Sequence, residues 1–123
     1  MNIEVLLAAV SAVMFGVSNI CYKLGMPEVG EFTIRRIVTV DFIAQLISSR
    51  WIIAGVALTI ISGAFYIAAI SQGEVIGVVA VLSLSYLVTA LLAYIFLGES
   101  LTTFKIGGIG LIVLGVVLVH AGT

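Results

Sequence analysis

Charged residues are scarce in this chain, and their scarcity sets its class. Of the 123 residues, 9% are charged and 63% are hydrophobic, and the mean hydropathy is +1.37. Soluble domains are about 45–50% apolar and about 25% charged, so this composition excludes a soluble domain. We predict a single membrane domain over residues 1–123 and no enzyme activity, because no segment remains for a soluble catalytic domain.

The single cysteine and the single histidine exclude further kinds of site. Cys21 cannot form a disulfide framework, and we interpret it as a small buried apolar residue. His120 has no cluster of metal ligands around it in the sequence, so we interpret it as an interfacial residue. The sequence therefore predicts no metal site, no cofactor and, because no basic tail is present, no nucleic-acid partner.

Four apolar runs are long enough to cross a bilayer as helices. About 20 apolar residues are needed to cross about 30 Å of hydrocarbon. No strand-like alternation persists over these lengths, so we predict an all-α protein with four transmembrane helices. Gly25 and Pro27 predict the end of the first helix. The predicted spans cover about residues 3–24, 52–70, 75–97 and 101–119.

The segment between the first two runs mixes apolar and charged residues. Within residues 32–49, Arg35, Arg36 and Asp41 stand among isoleucines, valines and phenylalanines. Such charges are costly in a bilayer. We therefore predict an interfacial helix over residues 32–49. The alternative is a fifth, tilted span, which would reverse the side of everything after it.

All lysines and arginines fall on one side of the predicted spans. Four lie at or in the first connection, and Lys105 lies in the third. The N-terminus, the second connection and the C-terminus carry none. Basic flanks stay in the cytoplasm, so we predict a multi-pass protein of the cell membrane with both termini outside.

The middle of each predicted span lacks a charged residue, which ion coupling would need. Uncharged polar residues do occur in the spans. The candidates for substrate binding are Ser18, Asn19, Lys23, Tyr66, Ser83 and Tyr86. Hydrogen bonding between helices is the alternative for this set. A second candidate is an anionic-headgroup site formed by Lys23, Arg35 and Arg36, with ordinary cytoplasmic anchoring as its alternative.

Small residues recur at helical spacing. Ala8, Ala12 and Gly16 stand four apart in the first run, and Gly108 and Gly115 stand seven apart in the last. Small residues let helices approach closely in lipid. We predict that Gly108 and Gly115 form a dimer interface; packing inside one bundle is the alternative.

Several motifs carry a resemblance to known transporters. The motif Leu97-Gly-Glu-Ser-Leu101 follows Ala80–Tyr86 and precedes the glycine-rich run Gly107–Gly115. This order resembles the C-terminal part of an EamA-type unit of the drug/metabolite transporter superfamily. With Asn19–Lys23, the chain is similar to small four-span members, most of all to aminoarabinose-phosphoundecaprenol flippase subunits and more distantly to small multidrug-resistance proteins. The resemblance covers nearly the whole chain and is weakest over Met26–Arg50.

The resemblance implies a transporter or flippase subunit for a lipid-linked or amphiphilic molecule. Its partners would be membrane lipids and a second unit, in a homodimer or a heterodimer with a related subunit. Small multidrug-resistance proteins have a proton-coupling glutamate where Val13 stands, and a proton-coupled exporter of metabolites or toxic cations is one alternative. A non-transporting subunit that stabilises a partner is another. Flippase-like members have Tyr-Pro where Val79-Ala80 stands, so we expect a third helix without that kink.

Overall fold

The described part of the chain is helical throughout. The computed structural model describes residues 2–29 and 34–121, without the side chains of Glu28, Ile34 and Arg36. Its elements are α1 (Ile3–Val29), α2 (Ile34–Ile37), α3 (Val40–Ser48), α4 (Arg50–Gln72), α5 (Val75–Leu82), α6 (Ser85–Phe96) and α7 (Thr103–Ala121). Four units, namely α1, α4, the α5–α6 pair and α7, are long and apolar enough to span a bilayer. The predicted all-α membrane class is confirmed.

α1 continues beyond its predicted end. The prediction that Gly25 and Pro27 stop the helix is wrong, because α1 reaches Val29 with the proline inside it. A Cβ atom on Gly25 would lie 2.7 Å from the side chain of Ile52, so this glycine marks a close approach of α1 to α4. Val29 is buried together with Phe42 and Ile52. This packing holds the last turn of α1 in place.

Two short helices, α2 and α3, occupy the segment between the first two spans. Thr39 begins α3 by accepting a hydrogen bond on Oγ1 from the Phe42 N–H at 3.3 Å. With nine residues, α3 is about 14 Å long, which is too short to cross the hydrocarbon. A helix of this length does not support the fifth-span alternative, and the interfacial position of the segment stays a prediction. Residues 32 and 33 of the predicted helix lie outside the described residues.

The third span is interrupted near its middle by a two-residue turn, Ser83 and Leu84, whose backbone stays in the right-handed helical region. α5 ends at Leu82 and α6 begins at Ser85. Between them, Ser83 Oγ donates to the Ala80 carbonyl at 2.5 Å. This turn lies beyond Val79-Ala80, so it does not bear on the expected absence of a proline kink there. A hydroxyl that bonds back to the preceding turn can bend a helix without proline.

α1 lies at the centre of the bundle. It packs along α4 and also contacts α5 and α6. Ala8 and Ala12 are buried, and a Cβ on Gly16 would lie 2.7 Å from the Val88 side chain. The small residues of α1 therefore pack inside the bundle. By contrast α7 packs mainly on α5 and has no buried residue along its length.

Candidate functional site

Polar side chains join α1 to α4. The Oγ atoms of Ser11 and Ser62 lie 2.9 Å apart, and each lies 2.9 Å from the main-chain carbonyl of the other residue. About three helical turns further along α1 from Ser11, the Tyr22 hydroxyl lies 2.6 Å from Thr59 Oγ1. Among the described residues, no buried side-chain nitrogen or oxygen lacks a hydrogen-bond partner. These groups hold the helices together and are already satisfied.

Three of the predicted substrate-binding residues make bonds within the bundle. Ser18 is fully buried, and its Oγ donates to the Phe15 carbonyl at 2.6 Å. Asn19 Nδ2 donates to Thr89 Oγ1 at 3.2 Å, which ties α1 to α6. Ser83 bonds within its own span, as described above. These contacts support the alternative of interhelical and local hydrogen bonding for this part of the set.

The other three predicted substrate-binding residues lie apart in the fold. Tyr66 packs against the buried cluster that contains Ala8 and Ala69. Lys23 is exposed near the end of α1. Tyr86 is 65% exposed on α6, one residue after the third span resumes. Of the six predicted residues, Tyr86 is the one that lines the groove between α6 and α7.

The predicted headgroup site is described only in part. Lys23 on α1 and Arg35 on α2 are exposed. The side chain of Arg36 lies outside the described residues. This site stays a prediction.

A groove of about 380 Å³ separates α6 from α7. Pockets for small ligands have volumes of about 300–1,000 Å³. Residues spaced three and four apart line both walls, so each helix presents one face to the groove. We call this space the α6–α7 groove; its lining residues are Tyr86, Thr89, Ala90, Ala93, Glu99, Ser100, Leu101, Lys105, Gly108, Ile109 and Ile112.

Small apolar residues line both walls of the groove. Ala90 and Ala93 stand on the α6 wall, and Gly108 stands on the α7 wall. A Cβ added to Gly108 would meet nothing within 4 Å, so the glycine leaves the space open.

The mouth of the groove carries both signs of charge. Gly98 adopts the left-handed conformation, with φ of 68°, and ends α6 just before Glu99. Thr102 caps α7 by accepting a hydrogen bond on Oγ1 from the Lys105 N–H at 3.2 Å. Lys105 Nζ donates to the Ser100 carbonyl at 2.9 Å. In the described structure no ion pair joins Glu99 to Lys105.

Sequence reasoning did not identify this mouth as a site. Lys105 is predicted there only as a topology signal. Glu99 lies in the connection after α6 and Lys105 in the first turn of α7, and the small residues on both sides of them are the signal available in the sequence. Whether the two faces meet or stand apart depends on how the neighbouring spans pack.

The predicted dimer residues Gly108 and Gly115 are not used in packing within the bundle. A Cβ on either would meet nothing within 4 Å. The alternative of packing inside one bundle is therefore unsupported for this pair. The dimer interface itself stays a prediction.

A second cavity, of about 580 Å³, lies at the opposite end of the bundle. Glu4, Glu74 and His120 line it, and no lysine or arginine is among its described lining residues. His120 Nε2 lies 3.1 Å from the Gly77 carbonyl, which ties the end of α7 to α5. The start of α1, the second connection and the end of α7 therefore meet at this end of the bundle. The ionisable residues that line the cavity there are acidic apart from His120.

Comparisons with known proteins add no family assignment. No protein family, no curated protein and no solved structure matches the chain. The resemblance to EamA-type transporters therefore stands on the motifs quoted above.

Proposed function

We propose that this membrane protein is a subunit of a transporter or flippase for a lipid-linked or otherwise amphiphilic small molecule. The observation that supports the proposal is the α6–α7 groove. Its walls are apolar, while Glu99 and Lys105 stand at its mouth. A molecule with an apolar chain and a polar head matches that arrangement, with the chain against Ala93 and Ile109 and the head at the mouth.

The interruption of the third span adds support. Transporters often place their sites where a spanning helix is discontinuous. Here the turn between α5 and α6 precedes Tyr86, whose side chain lines the groove.

A single unit has walls on two sides of the groove, so we propose that a second unit covers its open side. The partner is a second copy or a related small subunit, and Gly108 with Gly115 lies where its helix can approach α7 closely. The resemblance to EamA-type and small multidrug-resistance transporters agrees with such a paired architecture. In this proposal membrane lipids surround the remaining faces.

Reconstitution into liposomes tests the proposed function. The protein is presented with fluorescent phospholipids and lipid-linked sugars, and their movement between leaflets is measured by quenching from outside. Ala90→Phe with Ala93→Phe should fill the groove and abolish movement. Ala64→Phe, at an exposed position of α4, is the matched control and should leave movement unchanged. Full movement in the groove-filled variant would contradict the proposal.

The second candidate function is a non-transporting subunit that stabilises a partner. The observation that favours it is that every buried polar side-chain atom of the described residues already has a hydrogen-bond partner within the chain. Under this alternative, the reconstituted chain moves no lipid in any variant. It then changes the amount or activity of a co-expressed membrane partner instead.

We also propose that the chain lies in the cell membrane with both termini outside. The proposal rests on the predicted position of every lysine and arginine at the same end of the spans. A reporter that is active only in the cytoplasm should stay silent when fused to the C-terminus. The same reporter inserted in the connection after Gly98 should be active. Activity at both positions would mean that the chain inserts in two directions.

A further inference from the structure

We propose that the mouth of the α6–α7 groove binds a phospholipid with a phosphoethanolamine headgroup. The inference rests on the proposed use of the groove by an amphiphile, but it does not depend on transport. It concerns Glu99 and Lys105, which the sequence analysis assigned to no binding site. The other candidates are weaker, since the cavity of about 580 Å³ rests on a cluster of acidic residues, and the exposed face of α3 carries only Asp41, with no second group to select an occupant.

Two opposite charges stand at one mouth without an ion pair between them in the described structure. The Lys105 ammonium has three N–H donors, and the Ser100 carbonyl takes one at 2.9 Å. Two donors remain for phosphate oxygens, which form strong charge-assisted hydrogen bonds. The Glu99 carboxylate accepts hydrogen bonds and attracts a cation. A headgroup that carries a phosphate and an ammonium complements both.

The same chemistry disfavours the other common phospholipid headgroups. A phosphoglycerol headgroup brings a phosphate to Lys105, but it offers no cation to Glu99, whose charge repels it. A choline headgroup carries a cation that has no N–H to donate, and such cations are bound best by aromatic faces. None of the four residues that line the mouth is aromatic, and Phe104, which precedes Lys105 in the sequence, is not part of the lining; the four are Glu99, Ser100, Leu101 and Lys105. A primary ammonium can donate directly to the carboxylate.

The rest of the groove suits the acyl chain of such a lipid. Ala90, Ala93 and Ile109 form apolar walls beyond the mouth. α7 has no buried residue, so a lipid chain can reach the groove sideways from the bilayer. The headgroup then lies at the end of the bundle that carries Lys105, which is the depth of the phosphate layer on that side.

The test is competitive lipid retention by the full chain. The protein is purified with equal amounts of phospholipids that share their acyl chains and differ in headgroup, namely phosphoethanolamine, phosphoglycerol and phosphocholine. Native mass spectrometry counts the retained lipids. We expect the phosphoethanolamine lipid to be retained preferentially. Glu99→Gln should shift the ratio toward the phosphoglycerol lipid about fivefold, and Lys105→Gln should lower retention of both about fivefold.

Matched controls separate recognition from general surface charge. Glu74→Gln removes a carboxylate at the opposite end of the bundle, and Arg50→Gln removes a cation at the start of α4. Both should leave the headgroup ratio unchanged. Equal retention of the three lipids by the wild type would overturn the inference. So would a shift in the controls as large as that in Glu99→Gln.

The outcomes also separate this inference from the proposed function. Lipid movement in liposomes without any headgroup preference overturns the inference and leaves the function standing. Headgroup preference without lipid movement leaves the inference standing and overturns the function. A dimer that retains no lipid means that a second copy occupies the groove, which overturns the inference.

Discussion

α1 and α7 are both long apolar spans, but α1 packs closely against other helices and α7 does not. In the most apolar window of each helix, 33% of the residues are buried in α1 and 0% in α7. α1 meets its neighbours with small residues and a serine hydrogen bond, whereas α7 leaves its glycines facing open space. Apolar character places a helix in the membrane, but matched small and polar faces decide whether it packs against other helices.

Glycine has a different structural role in α1 and in α7. Gly16 and Gly25 sit where a Cβ would lie 2.7 Å from a neighbouring side chain. Gly107 and Gly110 on α7 would place a Cβ in open space. The glycines of α1 are needed for the bundle, and those of α7 remain free for a lipid or a second unit.

The largest effect is expected at a glycine of α1 that packs closely against another span. Gly16→Leu drives a side chain into Val88 and toward the Ser85 carbonyl, so it should destabilise the protein by roughly 1–3 kcal/mol. The control Gly110→Leu should change stability by about 0.5 kcal/mol or less. Unfolding in mixed micelles measures both. Equal losses would mean that α7 is packed as tightly as α1.

A smaller effect is expected on self-association through α7. Gly108→Leu with Gly115→Leu blocks close approach of a second helix, so the association constant in detergent should fall about tenfold, or ~1.4 kcal/mol. Gly107→Leu with Gly110→Leu is the matched control on the same helix. Light scattering of the purified complex gives the mass. An unchanged mass in the first variant would remove these two glycines from the interface.

The smallest effect is expected at the serine pair. Ser11→Ala or Ser62→Ala should each cost about 0.6 kcal/mol, the mean for hydrogen bonds between helices in membranes. The double variant should cost less than the sum of the two, because both changes remove the same contact. Ser71→Ala, on an exposed hydroxyl, is the control. If the losses of stability in the two single variants add up to that of the double variant, the two hydroxyls contribute to stability independently.

Much of the fold could be read from the sequence, with errors at identifiable places. The four apolar runs match the four spans because hydrocarbon thickness sets a minimum helix length. The end of α1 was misplaced because packing against Ile52 and Phe42 overrides the local signals of Gly25 and Pro27. The break after Leu82 was missed because a serine hydroxyl, and not a proline, accompanies it.

The candidate site was less predictable than the fold. Tyr86 was predicted because it is polar and lies within a span, and it lines the groove. Ser18 and Asn19 were predicted for the same reason, but their hydrogen bonds lie within the bundle. Polarity in a span identifies a group that needs a partner, and it does not say whether that partner is another helix or a ligand.

The sequence by itself determined that this chain is an all-α membrane protein with four spans, and it placed the basic residues at one end. Those properties depend on run length and on the sign of flanking charge, which are local. The tertiary structure decided which glycines are contacts, which polar groups are already bonded, and that Glu99 and Lys105 share the mouth of one groove. All three outcomes depend on how each span packs against the others, and the shared mouth depends on the separation of α6 from α7. That packing has no counterpart in local sequence.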